Sequence, residues 1–354
     1  MLNVCATVQG CIGGVSGANQ TAPLMEGRLK NKEDPMMKKK IVSLVLAFML
    51  CLSCVSALAA EAWTVTCPWA PSGVAAMVNQ KAASLSTTYS QDYVLVANAE
   101  KGDTATINSW LTKYTEADPQ MCFIGEGMFG ITAILDPERM NFTYDDFEYV
   151  ENLYSSIFVA SARKELGLTS IDALKAYLEE GNQIMVGTNG ATGSEAFLAA
   201  ALIGAMGYGD QFHLIPYESA AEAAQAVARG EVDIAVSHQS QILETWQQGG
   251  VDVFAAFDGE PIAQGPFKGV EGVGQHGYPY FRNRCFIFAK AGADEQKIAD
   301  LKALYAQILT DEEMVDWLNN TMLLEADVMT EEEVIAHIDN VKNIVEEYYD
   351  LVAE

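Results

Sequence analysis

Gly187–Gly207, reading GTNGATGSEAFLAAALIGAMG, is the stretch from which the fold can be read. The apolar run Ile184-Met185-Val186 leads into it, and the apolar segment Ala196 to Met206 closes it. A short strand, a turn rich in Gly, Thr, Asn and Ser, and then a helix is the repeating unit of an α/β domain. Such a turn leaves backbone N–H groups unpaired at the start of the helix. Together with the positive end of the helix dipole, these donors suit a carboxylate or a phosphate. The glycines at 187, 190 and 193 match neither the dinucleotide fingerprint nor a Walker loop, and no Lys-Ser/Thr follows them. Many strand–turn–helix junctions bind nothing, so the rest of the chain has to say what this one does.

Working outward, the same alternation recurs. Trp63 to Cys67 reads as a strand, Pro68 to Gly73 as a turn and Val74 to Leu85 as a helix with Ser72 as its N-cap. Strands are expected at Tyr93–Ala97 and Met121–Ile124, with a helix between them from Thr104 to Tyr114 and another after Gly125-Glu126-Gly127. Phe147–Leu153 and Ile157–Ala162 are rich in Tyr, Phe, Val and Ile, as strands are. The alternation then restarts with a helix at Ser170–Glu179, closed by Gly181, and the strand Gln183–Val186. A strand at Phe212–Ile215, the turn Pro216–Ser219 and a helix at Ala220–Ala228 follow. Strands at Val232–Val236, Val251–Phe257 and Cys285–Ala289 flank a Gly-rich loop at Gly259–Gly277. From Asp294 the chain reads as helical almost to its end, and Thr330-Glu331-Glu332-Glu333 forms a capping box. Two α/β units with a helical C-terminal tail are expected. The junctions Pro68–Gly73, Gly187–Ser194 and Pro216–Ala220 resemble one another, and in open α/β sheets such turns gather where ligands bind.

Composition narrows the function. A net charge of −27 argues against a nucleic-acid partner, because there is no basic surface to meet phosphates. Met37-Lys38-Lys39-Lys40, the apolar run Ile41–Leu52 and the small residues Ser56–Ala60 have the three-part form of a secretory signal peptide. Residues 37–59 are therefore expected to be removed, with cleavage after Ala59 or Ala60. Cys54 sits where a lipid anchor would attach, but Cys51 stands where a lipobox takes Leu. Residues 1–36 precede that signal. Lys32-Glu33-Asp34 can be encoded by a ribosome-binding sequence, so translation is expected to start at Met36 or Met37. Losing residues 1–59 removes six basic and three acidic residues and takes the net charge to −30. It also leaves only Cys67, Cys122 and Cys285, an odd set that reads as buried thiols and not as a disulfide framework. No Cys/His spacing suits a metal, and no cofactor is expected.

Four segments in order resemble the substrate-binding receptors of tripartite tricarboxylate transporters, the Bug-type extracytoplasmic solute receptors. They are Val65-Thr66-Cys67-Pro68-Trp69-Ala70-Pro71-Ser72-Gly73; Val186-Gly187-Thr188-Asn189-Gly190 with Gly193-Ser194-Glu195; Ile215-Pro216-Tyr217-Glu218-Ser219 followed by Gly230-Glu231-Val232-Asp233; and Gly277-Tyr278-Pro279. The resemblance covers residues 62–350. It implies a type II periplasmic-binding-protein fold, with two α/β lobes closing around a ligand cleft. Lobe 1 would comprise 60–157 and 286–354, and lobe 2 would comprise 158–285. It also implies a monomer that captures a small organic carboxylate and delivers it to the membrane permease subunits of such a transporter, in the periplasm or an equivalent extracytoplasmic space.

By the same resemblance, the substrate-binding residues would be Trp69, Ser72 and Gly73 from the first loop. The central loop would add Thr188, Asn189, Gly190, Thr192, Gly193 and Ser194, and the third loop Tyr217 and Ser219. His238 follows the Val232–Val236 strand and reads either as a cleft residue or as part of a polar surface turn. Trp69 reads either as a wall of the site or as packing at a strand end. Arg282 and Arg284 are expected to pair with acids near a lobe crossing, and His276 to lie on loop or hinge surface. Two departures from the family pattern matter. Val74-Ala75-Ala76-Met77 lacks the acid that the family's first loop commonly uses for an amine, which favours a carboxylate without one. The central loop is one residue longer, at Ala191-Thr192. Two other readings remain at this point. One is a ligand-sensing receptor for a signalling system. The other is an exported α/β hydrolase, which would need a Gly-x-Ser-x-Gly elbow that Ser194 does not provide.

Overall fold

The computed structural model describes residues 60–352, so the expected upstream segment, signal peptide and Cys54 lie outside the described residues. Two five-stranded mixed sheets carry the fold. The first has the order β2-β1-β3-β10-β4 and the second β7-β6-β8-β5-β9. In the first, β1 (Glu61–Cys67), β2 (Tyr93–Ala99) and β3 (Gln120–Gly125) run parallel. β10 (Asn283–Lys290) lies antiparallel between β3 and β4 (Phe147–Ser156). The second sheet repeats this plan. β6 (Ile184–Asn189), β7 (Phe212–Tyr217) and β8 (Ile234–His238) are parallel, and β5 (Phe158–Arg163) lies antiparallel between β8 and β9 (Val251–Ala256).

The antiparallel strand in each sheet is the one that arrives from the other lobe. β4 at the edge of the first sheet leads through Ile157 into β5, and β9 leads through the Gly-rich loop into β10. Because of these two crossings, the chain leaves and re-enters each lobe beside its parallel strands. β10 shows how its sequence allows this. Cys285, Ile287 and Ala289 join the core on one face of the sheet, and Phe286 and Phe288 join the aromatic core on the other. Side chains alternate across a strand, so a run apolar at every position belongs in a sheet covered on both faces.

The helices flank the sheets: α1 (Val74–Tyr89), α2 (Thr104–Lys113), α3 (Ile171–Glu179), α4 (Ser194–Ala205), α5 (Ala220–Arg229), α6 (Gln239–Gln247), α7 (Glu295–Leu309) and α8 (Glu331–Glu347). α4 is the apolar segment of the opening stretch. Every residue from Glu195 to Ile203 is buried, as a helix apolar on all sides requires. Its Gly204 admits the C-terminal turn, since a Cβ there would sit 2.8 Å from Leu351 Cδ1 and 3.0 Å from the Tyr348 ring.

Several expectations needed correction. The N-cap of α1 is Gly73, with no side-chain cap, and not Ser72. The strand before the central turn runs to Asn189, three residues beyond Val186, because Gly187 to Asn189 pair with Ile215 to Tyr217 of β7. α6 was not foreseen; its Gln239–Gln247 segment, QSQILETWQ, is too polar for a clear apolar stripe. The tail, which the resemblance assigns wholly to lobe 1, is shared between the lobes. Along α8, Val334 and Ile338 join the aromatic core of the first lobe, and Val341, Ile344 and Val345 join the core of the second. The Thr330 capping box forms as read, with Glu333 N donating to Thr330 Oγ1 at 3.3 Å and Thr330 N to Glu333 Oε2 at 2.8 Å.

Ion pairs tie the crossings to the tail. Arg282 pairs with Asp258 and, at 2.7 Å, with Glu325, and Arg284 pairs with Asp327 at 2.6 Å. Both arginines therefore meet acids near a crossing, as the sequence suggests. His276 lies on the Gly-rich loop, 3.0 Å from Glu271. Cys67, Cys122 and Cys285 are buried free thiols, and burial pushes Cys67 up to about 11.

Candidate functional site

The turns after β1, β3, β6 and β7, with the end of β8, line one cleft of about 820 Å³. Of the residues picked from the sequence, Trp69, Ser72, Gly73, Asn189, Gly190, Thr192, Gly193, Ser194, Ser219 and His238 line it. Thr188 and Tyr217 do not. Thr188 is 0% exposed, and its hydroxyl donates to Gly190 O at 2.8 Å, bracing the turn from behind. Tyr217 ends β7, where its ring packs beside Gly187, and its carbonyl accepts from Gly190 N at 3.0 Å. Both residues hold the jaw in place without facing the cleft.

Each lining turn has a local reason. Gly190 adopts φ +72°, a left-handed conformation that glycine takes at little cost, and this starts the turn one residue after the strand ends. Gly193 lies so close to Asn189 that a Cβ would meet Asn189 O at 2.7 Å, so the turn closes on a tight base with Ala191 and Thr192 exposed above it. Gly193 caps α4 without a side-chain hydrogen bond, and Gly73 does the same for α1. α5 differs, because Ser219 Oγ accepts from Glu222 N at 3.2 Å. Besides α6, whose N-cap is His238, three helix N-termini therefore open on the cleft, two of them capped by glycine. Their first backbone N–H groups have no acceptor within the helix.

Trp69 is both a wall of the cleft and a packing residue. It lies against the cores on both faces of the first sheet, and its ring edge approaches within 3.3 Å of where a Cβ on Gly125 would stand. His238 also faces the cleft. Its ring stacks on Phe158 with centroids 4.5 Å apart, and its Nδ1 is 2.8 Å from Ser156 Oγ at the first crossing. Burial lowers its pKa to about 4, so the imidazole is neutral near pH 7. At the rim, Asp103 takes a strained φ of +49° and lies 3.9 Å from Arg139, which is 3.7 Å from Asp136.

Sequence reasoning missed most of the remaining lining, including Asp103, Arg139 and Glu218 at charged positions and two buried acids: Glu126, in the turn after β3, and Glu195, in the first turn of α4. Glu126 Oε2 accepts from Arg284 N at 2.9 Å, and its Oε1 accepts from Asn283 Nδ2 at 3.0 Å and from Ser194 Oγ at 3.4 Å. Burial pushes Glu126 up to about 7 against those donors. Burial likewise raises Glu195 to about 7, where its own N–H and Asn189 oppose the shift and Glu126 adds to it. The signal was present in Gly125-Glu126-Gly127 and Gly193-Ser194-Glu195, since each places an acid at a strand–helix junction. The expected anion drew attention to the glycines and away from the glutamates. Among the described residues, no cluster of three or more His, Cys, Asp or Glu side chains is placed to hold a metal.

Two lobes, each a mixed sheet with one strand donated across the junction, define the periplasmic-binding-protein class of fold. No family model and no curated protein matches the sequence. Solved structures do match. A TctC solute-binding protein from Polaromonas superposes with a TM-score of 0.68 at 15% identity, covering 81% of this chain and 98% of that one. A protein from R. palustris determined with adipate gives 0.67 at 16% identity, covering 82% and 97%. MatC from Rhodopseudomonas palustris with bound malate gives 0.62 at 17% identity, covering 82% and 98%. At these identities the likeness is one of fold, and the fold is that of the receptors whose motifs the sequence resembles.

Proposed function

We propose that the protein is an extracytoplasmic solute-binding receptor of the tripartite tricarboxylate type, which captures a small organic acid and presents it to membrane permease subunits. The observation that carries this reading is the convergence of three helix N-termini on one cleft of about 820 Å³ between two lobes. That volume falls within the usual range for small-molecule sites. Backbone donors at helix starts hold a carboxylate without a lysine or arginine, which suits a chain so acidic overall. At physiological ionic strength the screening length is about 8 Å, so local donors inside the cleft outweigh the distant surface charge.

Ligand held between the lobes would favour the closed state, and a membrane partner would read that state. The signal-peptide pattern in residues 37–59 supports export. No helix among the described residues is long and apolar enough to cross a membrane, which agrees with delivery to a separate permease. The adipate and malate bound to the two R. palustris proteins support an organic-acid ligand.

Binding is favoured over hydrolysis by the surroundings of the serines. Ser194 in the cleft has a carboxylate, Glu126, as its partner and no histidine. His238 does meet a serine, Ser156, but Ser156 is buried at the crossing and is not part of the cleft lining.

A thermal-shift screen of dicarboxylates, tricarboxylates, aromatic acids and amino acids tests the reading. A ligand at one hundred times its Kd contributes about 2.7 kcal/mol, enough to raise Tm by several degrees. Failure of every acid to shift Tm, together with turnover of an ester substrate, would overturn it.

A further inference from the structure

Glu126 and Glu195 come from different lobes, line the same cleft and are only 1% and 5% exposed. Among the described residues, neither has a cationic side chain as its partner. The arginines nearby are taken: Arg282 pairs with Asp258 and Glu325, and Arg284 with Asp327. Arg139, at the rim, is shared by Asp103 and Asp136. The groups that touch the two carboxylates are neutral donors: Asn283, Ser194 and the Arg284 N–H for Glu126, and Asn189 with its own N–H for Glu195. A buried carboxylate costs free energy unless a counter-charge accompanies it. The raised pKa values of both groups express that cost, which the charge of Arg284, itself paired with Asp327, offsets at Glu126 only in part. A counter-charge from outside the chain would relieve it, and the cleft is open to one.

The opposite side of the cleft has the reverse character. α1 opens with Gly73, Val74 and Ala75, which line the cleft, and its first turn carries no acid and no side-chain cap. Its free N–H groups and dipole form an anion seat. At α4 the equivalent seat is already faced by the chain's own carboxylate, since a Cβ on Gly193 would sit 3.2 Å from Glu195 Oε2.

We infer that the cleft is built for an amphoteric solute, one that carries both a carboxylate and a protonated amine. Its carboxylate sits on the bare N-terminus of α1, and its ammonium sits between Glu126 and Glu195. This rests on the receptor reading above and narrows its ligand class. A plain dicarboxylate would set its second acid group against two glutamates. The first-loop residues Val74 to Met77, which lack an acid, argue from sequence against an amine; the two glutamates supply the acid from other elements.

Matched probes test it, by calorimetry at pH 8 on the chain from residue 60 onward: succinate against aspartate, glutarate against glutamate, and butyrate against 4-aminobutyrate. The amino member of at least one pair should bind tenfold or more tightly than its partner. Glu126→Gln and Glu195→Gln should each erase that preference, with Glu332→Gln on α8 leaving it unchanged. Should a glutamine variant fail to fold, the wild-type preference within each pair still decides. Equal or tighter binding of the amine-free acids overturns this inference and leaves the receptor reading standing, as does a preference that survives both substitutions. Binding of no probe of either kind overturns both.

Discussion

The two jaws of the cleft are built from the same strand–turn–helix unit and yet are electrically opposite. In the first lobe, Trp69 to Gly73 leads into α1 with no acid in its first turn, so the helix start is a positive end that no side chain of its own caps. In the second lobe, Asn189 to Gly193 leads into α4, and Glu195 in its first turn faces the helix start from which it arises. Glu126 then reaches from the first lobe to Ser194 at that same helix start. Similar backbone geometry thus offers an anion seat on one side and a cation seat on the other. A helix N-terminus predicts an anion site only until the side chains of its own first turn are counted.

The most direct way to break this comparison is to fill the bare seat. Gly73→Asp puts a carboxylate at the N-cap of α1, where it would accept from the N–H groups that are free for ligand. Gly73 has φ −72°, which any residue adopts, but the new Cβ would lie 3.1 Å from Ala70 O, so the turn must yield slightly. Affinity for a carboxylate ligand should fall by about a hundredfold, in the range of a lost charge-assisted contact with added repulsion, while Tm stays within a few degrees. Unchanged affinity in calorimetry would place the ligand's acid group elsewhere.

The second-lobe seat is probed by pH. Glu126 and Glu195 titrate near 7 in the folded chain and near 4.5 when unfolded. Between those values the folded state holds more protons, so their contribution to stability falls as pH rises from about 4.5 through 7. A tenfold change in proton affinity is worth about 1.4 kcal/mol, which bounds each carboxyl's contribution at about 3 kcal/mol. The groups facing them are Ser194, Asn189, Asn283, the Arg284 N–H and its guanidinium charge, with Cys285 and Tyr154 near Glu126, and the cleft's other charged residues are Asp103, Arg139 and Glu218. His238 and His337, lowered by burial to about 4 and about 3 from an unfolded value near 6.5, contribute a slope of the opposite sign below pH 6.5, which substituting the two glutamates leaves in place. Urea denaturation of the Glu126→Gln/Glu195→Gln chain should show stability falling less, or rising more, with pH than wild type across that range, because the two carboxyls' falling contribution is gone. Parallel curves would mean the two carboxyls are not the unpaired groups described here.

Much of this was legible in the sequence. Strand–helix alternation, glycine stops such as Gly230 and the Thr330 capping box are local signals, and local signals survive folding. The two crossings were legible only through the resemblance, because no local pattern says that β10 inserts into a sheet whose other strands end more than a hundred residues earlier. Thr188 and Tyr217 read as ligand contacts because they lie within the loop motifs. Strand pairing to Asn189 turned Thr188 inward, and that pairing depends on β7, which is distant in sequence. The glutamates were hidden for another reason. In a chain with 48 acidic residues, one Glu reads as solvated surface until burial shows otherwise.

A smaller effect separates jaw from support. Thr188→Val keeps the shape and removes the hydroxyl that donates to Gly190 O at 2.8 Å. Losing one such bond should cost about 1 kcal/mol of stability, with affinity changing only a few-fold through loosening of the turn. A loss of affinity comparable to Gly73→Asp, at unchanged Tm, would show that Thr188 turns to the ligand after closure.

The smallest expected effect is also the most discriminating for the third jaw. Ser219 lines the cleft, but its hydroxyl is engaged as the N-cap of α5, accepting from Glu222 N. Ser219→Ala should therefore lower stability by about 1 kcal/mol, the ordinary value of a serine cap, and lower Tm by about 2 °C. Affinity should not fall, because the backbone donors at the helix start stay in place and one more N–H is released at the end of the helix facing the cleft. A serine whose O–H also donated to the ligand would lose affinity about tenfold alongside the fall in Tm. The affinity of this variant, beside its Tm, thus decides whether the third helix start acts through its backbone, as proposed for the other two, or through its side chain.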